Sequence, residues 1–106
     1  MRSTGIFAAF AVLAMVFLLC SCGADRSNKI VMVTEATFPP YEFREGGRIV
    51  GIDVDLMQAV AQEIGKELVV EDMSFDSVIS AVVTGKADVA ASGITVTEDR
   101  KRQVNF

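Results

Sequence analysis

The segment from Ser92 to Arg100 holds the residues whose types and spacing best suit the binding of a free carboxylate. Thr97 has the chemistry of a helix N-cap, because its side-chain oxygen can accept hydrogen bonds from the amides of the following turn. A helix start attracts anions. Arg100 adds a planar guanidinium that can hold a carboxylate through two parallel hydrogen bonds. The alternative is an ordinary capped helix start with a solvated arginine, which is a common arrangement.

Further candidate residues follow the ends of three predicted strands. Because ligands of open parallel sheets bind beyond the carboxyl ends of the strands, we expect these residues to surround one crevice together with Arg100. Such a crevice would suit a small zwitterion with an organic side chain, because it combines two aromatic rings, several hydrogen-bond donors, a carboxylate and a guanidinium. Taken singly, the phenylalanines could be core residues and the glutamate a solvated strand end. In chain order the candidates are Glu35, Phe38, Phe75, Ser92, Gly93 and Thr95.

Three short apolar segments are the predicted strands that position these residues. The β-branched run Ile30–Val33 predicts a buried strand that ends at Thr34-Glu35. Leu68–Val70 predicts a second strand, and the third runs from Ala87 to Ser92. Pro39-Pro40 excludes a helix after the first strand. The alternating residues 41–44, the pair Gly46-Gly47 and the returning residues 48–50 then predict a β-hairpin.

Two helices are predicted between these strands. Asp53 is the expected N-cap of the first helix and Gly65 its stop, whereas the second begins at residues 74–76 and ends before Gly85. The apolar face of the first comprises Leu56, Met57, Val60, Ala61 and Ile64, and that of the second Val78, Ile79, Val82 and Val83. The order strand, helix, strand, helix, strand predicts an α/β fold with a mainly parallel sheet flanked by helices.

The N-terminus has the pattern of a targeting segment. Arg2 precedes an unbroken apolar run from Ile6 to Leu19, which is shorter than the roughly 20 residues that span a bilayer. The residues around Cys22 resemble a bacterial lipoprotein cleavage box, so we expect cleavage and acylation at Cys22; Cys20 is the poorer candidate because Leu19 precedes it. The predicted organisation is a signal peptide 1–22, a linker 23–28 and one domain 29–106. A plain signal peptide or a short anchor helix is the alternative.

Composition excludes several classes of function. The chain of 106 residues has a net charge of −4 without a basic patch, which argues against nucleic-acid binding. It contains no histidine, and its two cysteines lie in the predicted leader. Ser/His and Cys/His nucleophile pairs are therefore excluded, and we expect no catalytic residues. The acidic residues are scattered, so we expect no metal site and no cofactor.

Three motifs in order resemble the first lobe of the extracytoplasmic solute-binding proteins that serve polar amino-acid ABC importers, family 3. They are Thr37–Phe43, Gly51–Leu56 and Gly93–Arg100, and the resemblance runs from about Lys29 to Phe106. It implies a periplasmic-binding-protein-like fold, an amino-acid ligand, a membrane permease as partner, and a location in the periplasm or on the outer face of the cell membrane. The chain stops where the family finishes this part of its first lobe, so the second lobe is expected to be absent and ligand affinity to be weak.

The resemblance also implies roles for the candidate residues. Arg100 and the amide and hydroxyl of Thr95 would bind the ligand carboxylate, and the Gly93 carbonyl, with Ser92, would receive the ammonium group. Phe38 and Phe75 would enclose the ligand between their rings. Glu35 sits where the family often has an acidic residue facing the ligand. The motif that contains Asp53 and Asp55 is interpreted as structural.

Two other classes of function remain open at this point. The chain could be a sensory or interaction module that docks on a partner. It could also be an enzyme of the same fold, such as a cyclohexadienyl dehydratase, in which case Glu35→Gln would abolish activity on arogenate or prephenate. Catalysis would then depend on carboxylates such as Glu35 or Asp53, neither of which has an obvious partner that shifts its pKa.

Overall fold

The computed structural model describes residues 26–106, and the predicted leader, Cys22 and residues 23–25 of the predicted linker lie outside this range. No helix within residues 26–106 is long and apolar enough to cross a membrane. The described elements are, in chain order, β1 (Lys29–Thr34), β2 (Thr37–Phe38), β3 (Glu42–Glu45), β4 (Arg48–Val50), α1 (Ile52–Glu63), β5 (Glu67–Asp72), α2 (Phe75–Val83), β6 (Val89–Ala90) and α3 (Glu98–Lys101).

A parallel sheet of order β5-β1-β6 forms the centre of the domain, which confirms the predicted α/β fold. β1 pairs with β5 along its whole length, from Lys29 opposite Glu67 to Thr34 opposite Asp72. On its other side, Met32 and Val33 of β1 pair with β6. All three strands run in the same direction, so their carboxyl ends lie at one edge of the sheet.

The third strand is shorter than the predicted Ala87–Ser92. Only Val89 and Ala90 are strand residues, because β6 has a partner on one side alone and pairs with two residues of β1. Beyond Ala90 one more backbone bond follows, from the amide of Ala91 to the carbonyl of Val33 at 3.2 Å. Gly93 then adopts a left-handed conformation with φ of 55°, which turns the chain away from the sheet.

The predicted hairpin is confirmed and carries one extra short strand. β3 pairs with β4 in antiparallel register, and β2 pairs with β3 on its other edge. Asp72 at the end of β5 fixes this hairpin to the sheet, because its carboxylate accepts from the Ala36 amide at 2.9 Å and from the Arg44 guanidinium at 2.7 Å. The Ala36 amide, and to a lesser degree Arg44, lowers the pKa of Asp72.

The core forms on both sides of β1, since successive side chains of a strand point to opposite faces. Val31 and Val33 pack with Val78 and Ala81 of α2, all of them buried. Met32 points to the other face and is also inaccessible to solvent. α1 contacts β5 and buries Met57 and Ala61.

Two expectations for the first helix are wrong. The N-cap of α1 is Gly51 and no side chain caps this terminus, so Asp53 lies in the first turn instead of preceding it. The predicted apolar face is also buried only in part, because the helix rests on the sheet along one line. Met57 and Ala61 lie on that line, whereas Leu56, Val60 and Ile64 are 39–61% exposed.

Gly51 is the backbone position at which the hairpin and α1 approach most closely. Its φ of 131° is one that L-residues rarely adopt, and a Cβ atom there would lie 2.3 Å from the Tyr41 carbonyl oxygen. The neighbouring backbone makes bonds that depend on this approach, from the Ile52 amide to the Pro40 carbonyl and from the Asp53 amide to the Tyr41 carbonyl, both at 3.0 Å. Only glycine fits this position without moving the hairpin.

We therefore expect Gly51→Ala to lower the free energy of unfolding by about 3 kcal/mol or more, because a backbone clash adds to left-handed strain. Gly47→Ala is the matched control, since Gly47 has φ of 78° but a Cβ atom added there would meet no other atom within 4 Å. It should cost only about 1 kcal/mol. Urea denaturation of both variants measures the difference, and equal losses would contradict the role given to Gly51.

Candidate functional site

A depression of about 260 Å³ lies beyond the carboxyl ends of the strands. It brings together five of the seven residues that the sequence nominated: Glu35, Phe38, Phe75, Ser92 and Gly93. Thr37 and Glu42 complete its lining. Glu35 follows β1, Phe75 begins α2 after β5, and Ser92 follows β6, so each of the three parallel strands contributes to this depression.

Phe38 forms an exposed wall of this depression. Its side chain is 53% accessible, and its ring lies 5.1 Å from the Tyr41 ring, centroid to centroid. A Cβ atom at Gly93 would lie 3.1 Å from the Phe38 ring, so the absence of a side chain at Gly93 lets the ring and the backbone approach each other. The result is an aromatic surface directly beside an accessible stretch of backbone.

Arg100 lies on the other side of Phe75. Its guanidinium carbon is 5.3 Å from the centre of the Phe75 ring, within the range of a cation–π contact. Its Nη1 donates to the Thr95 carbonyl at 2.8 Å. The helix start is capped as predicted, because the Thr97 side-chain oxygen accepts from the Arg100 amide at 3.2 Å.

The candidate residues thus border two adjoining depressions instead of one crevice. Phe75 belongs to both, and the second depression, of about 250 Å³, is lined by Phe75, Asp76, Ile79, Ser80, Arg100 and Gln103. Thr95 lines neither of the two, but its carbonyl accepts from the Arg100 side chain at the border of the second depression. The Phe75 ring therefore separates the Glu35 side of the site from the Arg100 side.

Ser92 joins the ends of β1 and β6. Its side chain is 4% exposed, and its Oγ accepts from the Glu35 amide at 2.9 Å. The same hydroxyl donates to Glu42 Oε1 at 3.4 Å. Ser92 thus fixes the backbone at Glu35 and connects it to the hairpin.

Glu42 and Asp53 are site residues that the sequence interpretation missed in this role. Glu42 is 1% exposed, and its Oε2 is buried without a hydrogen-bond partner among residues 26–106. Asp53 accepts from the Gly93 amide at 3.0 Å through Oδ2. The sequence gives no local signal for the burial of Glu42, because charged residues that alternate with apolar ones normally face solvent.

Burial, together with the negative charge of neighbouring Asp53, raises the pKa of Glu42 from its ordinary 4.5 to about 7. The bond from Ser92 acts in the opposite sense and is the smaller effect. Because the pKa is higher in the folded chain, the folded state prefers the protonated acid. Stability associated with Glu42 is then complete below about pH 4.5 and is lost as the pH rises towards 7.

Glu42→Gln should remove this dependence, because glutamine does not titrate. We expect the free energy of unfolding of the unmodified chain to fall by up to about 3 kcal/mol relative to Glu42→Gln between pH 4.5 and 8. The measurement is urea denaturation of both proteins at intervals across this range. Glu45→Gln is the control, since Glu45 lies exposed on the same strand. Parallel stability curves for Glu42→Gln and the unmodified chain would contradict the assignment.

Comparison with known proteins identifies the fold. The profile of the family described as bacterial extracellular solute-binding proteins, family 3, matches residues 30–106. The arginine-binding extracellular protein ArtP of Bacillus subtilis is 42% identical over 96 residues, covering 85% of this chain. ABC transporter arginine-binding protein 1 of Escherichia coli is 34% identical over 96 residues, covering 90% of this chain. The chain spans 38% and 40% of the length of these two relatives.

Solved structures agree with this result. The arginine-bound form of domain 1 from TmArgBP is 45% identical, with a TM-score of 0.69; the match covers 72% of this chain and 61% of that domain. An ancestral arginine-binding protein bound to arginine is 44% identical, with a TM-score of 0.72 over 74% of this chain and 35% of its own. These matches confirm the periplasmic-binding-protein-like fold of part of a first lobe. The chain therefore belongs to the bacterial extracellular solute-binding proteins of family 3.

Proposed function

We propose that this chain is the amino-acid-binding part of an ABC importer and that its ligand carries a cationic side chain, with arginine as the first candidate. One observation carries the proposal, namely the separation of opposite charges on the two sides of Phe75. The carboxylates of Glu35 and Glu42 border one depression, and the Arg100 guanidinium borders the other. An amino acid of the arginine type has a carboxylate at one end, which suits Arg100, and a cationic side chain at the other, which suits the acidic depression.

The negative side of the site is well suited to a cation. No lysine or arginine lines the depression that contains Glu35, as far as residues 26–106 are concerned. Glu35 is half-buried and therefore partly accessible to a ligand, whereas Glu42 is inaccessible and lies beneath the depression. The exposed Phe38 ring and Phe75 offer π-faces to a guanidinium or ammonium group.

The positive side of the site is suited to the α-carboxylate. Among residues 26–106, the Arg100 side chain has one hydrogen-bond acceptor, the Thr95 carbonyl, so most of its N–H groups remain available. We assign the ligand carboxylate to Arg100 together with the amide and hydroxyl of Thr95. The ligand ammonium group would donate to the Gly93 carbonyl, beside the buried hydroxyl of Ser92.

The names of the relatives support this ligand class. ArtP and the Escherichia coli protein are both named as arginine-binding, and the two matched structures were solved with arginine bound. These relatives are binding proteins, and one is named as part of an ABC transporter. We therefore propose that this chain delivers its ligand to a membrane permease at the outer face of the membrane.

Titration calorimetry of the full chain with three ligands tests the proposal. L-Arginine should bind. L-Citrulline, which has the same shape without the side-chain charge, and agmatine, which lacks the carboxylate, should each bind at least about tenfold more weakly. Equal affinity for arginine and citrulline would contradict the proposal that Glu35 recognises the side-chain charge. Equal affinity for arginine and agmatine would contradict the assignment of the carboxylate to Arg100. A chain that binds none of the three would contradict the proposed function.

A matched pair of substitutions, one in α3 and one at its C-cap, sharpens this test. Arg100→Lys should weaken arginine binding about tenfold or more, because lysine cannot present a planar fork. Arg102→Lys is the control, since Arg102 is exposed and pairs with Asp99. Its effect should be within about twofold.

We also propose that Cys22 carries the lipid that holds the protein at the membrane, as its cleavage-box pattern indicates. Growth of expressing bacteria with labelled palmitate should label the chain. Cys22→Ser should abolish the label, whereas Cys20→Ser should retain it because Cys20 follows bulky Leu19. Label that survives in Cys22→Ser and disappears in Cys20→Ser would move the modification to Cys20.

A further inference from the structure

A continuous series of polar contacts joins three separate segments at the floor of the Glu35 depression. The Glu35 amide donates to Ser92 Oγ, and Ser92 Oγ donates to Glu42 Oε1. One residue further along, the Gly93 amide donates to Asp53 Oδ2. Ser92 and Gly93 are therefore held from one side by Glu42 of β3 and from the other by Asp53 of α1.

The two acidic residues of this series cannot both be ionised without cost. Glu42 Oε2 is buried and has no hydrogen-bond partner among residues 26–106 as long as the group is a carboxylate. A proton on this carboxyl group makes it a donor. Glu42 and Asp53 both lie at Gly93, since Glu42 Oε1 is 3.8 Å from the position of a Cβ atom there and Asp53 Oδ2 accepts from the Gly93 amide at 3.0 Å. Asp53 is therefore the acceptor available to that proton. Asp53 keeps its bond from the Gly93 amide in this arrangement.

In the part of the chain that the structure describes, the charged side chains around Glu42 offer no free cation that could neutralise its carboxylate in place of a proton. The charged groups on the surrounding elements are Asp53 on α1, Glu35 after β1, and the Arg44–Asp72 ion pair further along β3 and β5. Arg44 is already engaged by Asp72 at 2.7 Å. The charge of Asp53 therefore adds to the effect of burial in keeping the pKa of Glu42 near 7.

We propose that Glu42 and Asp53 are positioning residues that share one proton and thereby hold Ser92 and Gly93 in the geometry that accepts the ligand ammonium group. This inference rests on the proposed function, because Gly93 matters through the ligand it contacts. Loss of the proton leaves two facing carboxylates, and their repulsion displaces Asp53 from the Gly93 amide. Ligand affinity then falls as the pH rises.

The direction in which ligand affinity changes with pH distinguishes a positioning role of Glu42 from simple electrostatic attraction of the ligand. If the Glu42 charge acted only by attracting a cationic ligand, ionisation would increase the affinity for arginine. Positioning predicts the reverse, a decrease of about fivefold or more between about pH 6 and 8. Glu42→Gln keeps a donor towards Asp53 and cannot lose it, so its affinity should stay constant over the same range.

The first arm of the test uses the ligand-free full chain. In NMR spectra recorded across this pH range, the Gly93 amide signal should shift with the same midpoint as the Glu42 carboxyl carbon. The Gly93 shift should vanish in Glu42→Gln and persist in Glu45→Gln, whose residue is exposed on the same strand. A Gly93 signal that does not titrate, or that titrates equally in Glu42→Gln, would overturn the proposal.

The second arm measures arginine affinity by calorimetry at the same pH values. A fall with pH in the unmodified chain, absent in Glu42→Gln, supports the coupling, whereas a rise with pH overturns it. A chain that binds no amino acid would contradict the proposed function and the coupling to affinity. The Gly93 titration would still decide whether the acidic pair positions this segment, so the two failures are distinguishable.

Discussion

The burial of one carboxyl group, that of Glu42, is the constraint on which the geometry of the site depends. A buried acid is tolerated only when hydrogen bonds compensate for the water it loses. Here Ser92 donates to Glu42 Oε1, and a raised pKa favours the neutral form of the acid. Since Ser92 and neighbouring Asp53 belong to different segments, the hairpin, α1 and the end of β6 must meet for Glu42 to be satisfied. The same meeting produces the depression lined by Glu35, Phe38 and Gly93.

Strand register explains why residues so far apart in the sequence can cooperate. Val33 of β1 pairs with Ala90 of β6, so the residues that follow, Glu35 and Ser92, leave the sheet side by side. On the other edge, Thr34 pairs with Asp72, and α2 begins with Phe75 shortly afterwards. The core of Val31 and Val33 against α2 therefore stabilises the sheet edge at which the depression forms.

Much of this arrangement could be predicted from the sequence, because it follows from local patterns. The β-branched run of β1, the glycine pair of the hairpin and the capping threonine of α3 each depend on a few neighbouring residues. The rule for carboxyl strand ends then nominated Glu35, Phe75 and Ser92, which line the same depression. These are the features for which short-range chemistry and topology suffice.

The features that escaped prediction all depend on contacts between distant segments. Alternation in the hairpin does not indicate that Glu42 is buried, and its partner Ser92 lies 50 positions later. Asp53 has the residue type of an N-cap, yet its carboxylate bonds to Gly93, 40 positions later, and a glycine with an unusual φ begins the helix. The spacing of apolar residues on α1 likewise does not reveal which edge of a wide stripe meets the sheet.

The contacts of Arg100 orient its guanidinium while leaving most of its N–H groups without an acceptor among residues 26–106. Stacking on Phe75 and a single bond to the Thr95 carbonyl restrict the plane of the guanidinium. A planar group held in this way loses less conformational freedom when it binds a carboxylate. Affinity therefore increases even though the number of contacts is unchanged. Because Phe75 begins α2 and also borders the acidic depression, the distance between the two charged ends of the site is determined by a rigid helix terminus. The proposed ligand would then be selected by the separation of its charges as much as by their signs.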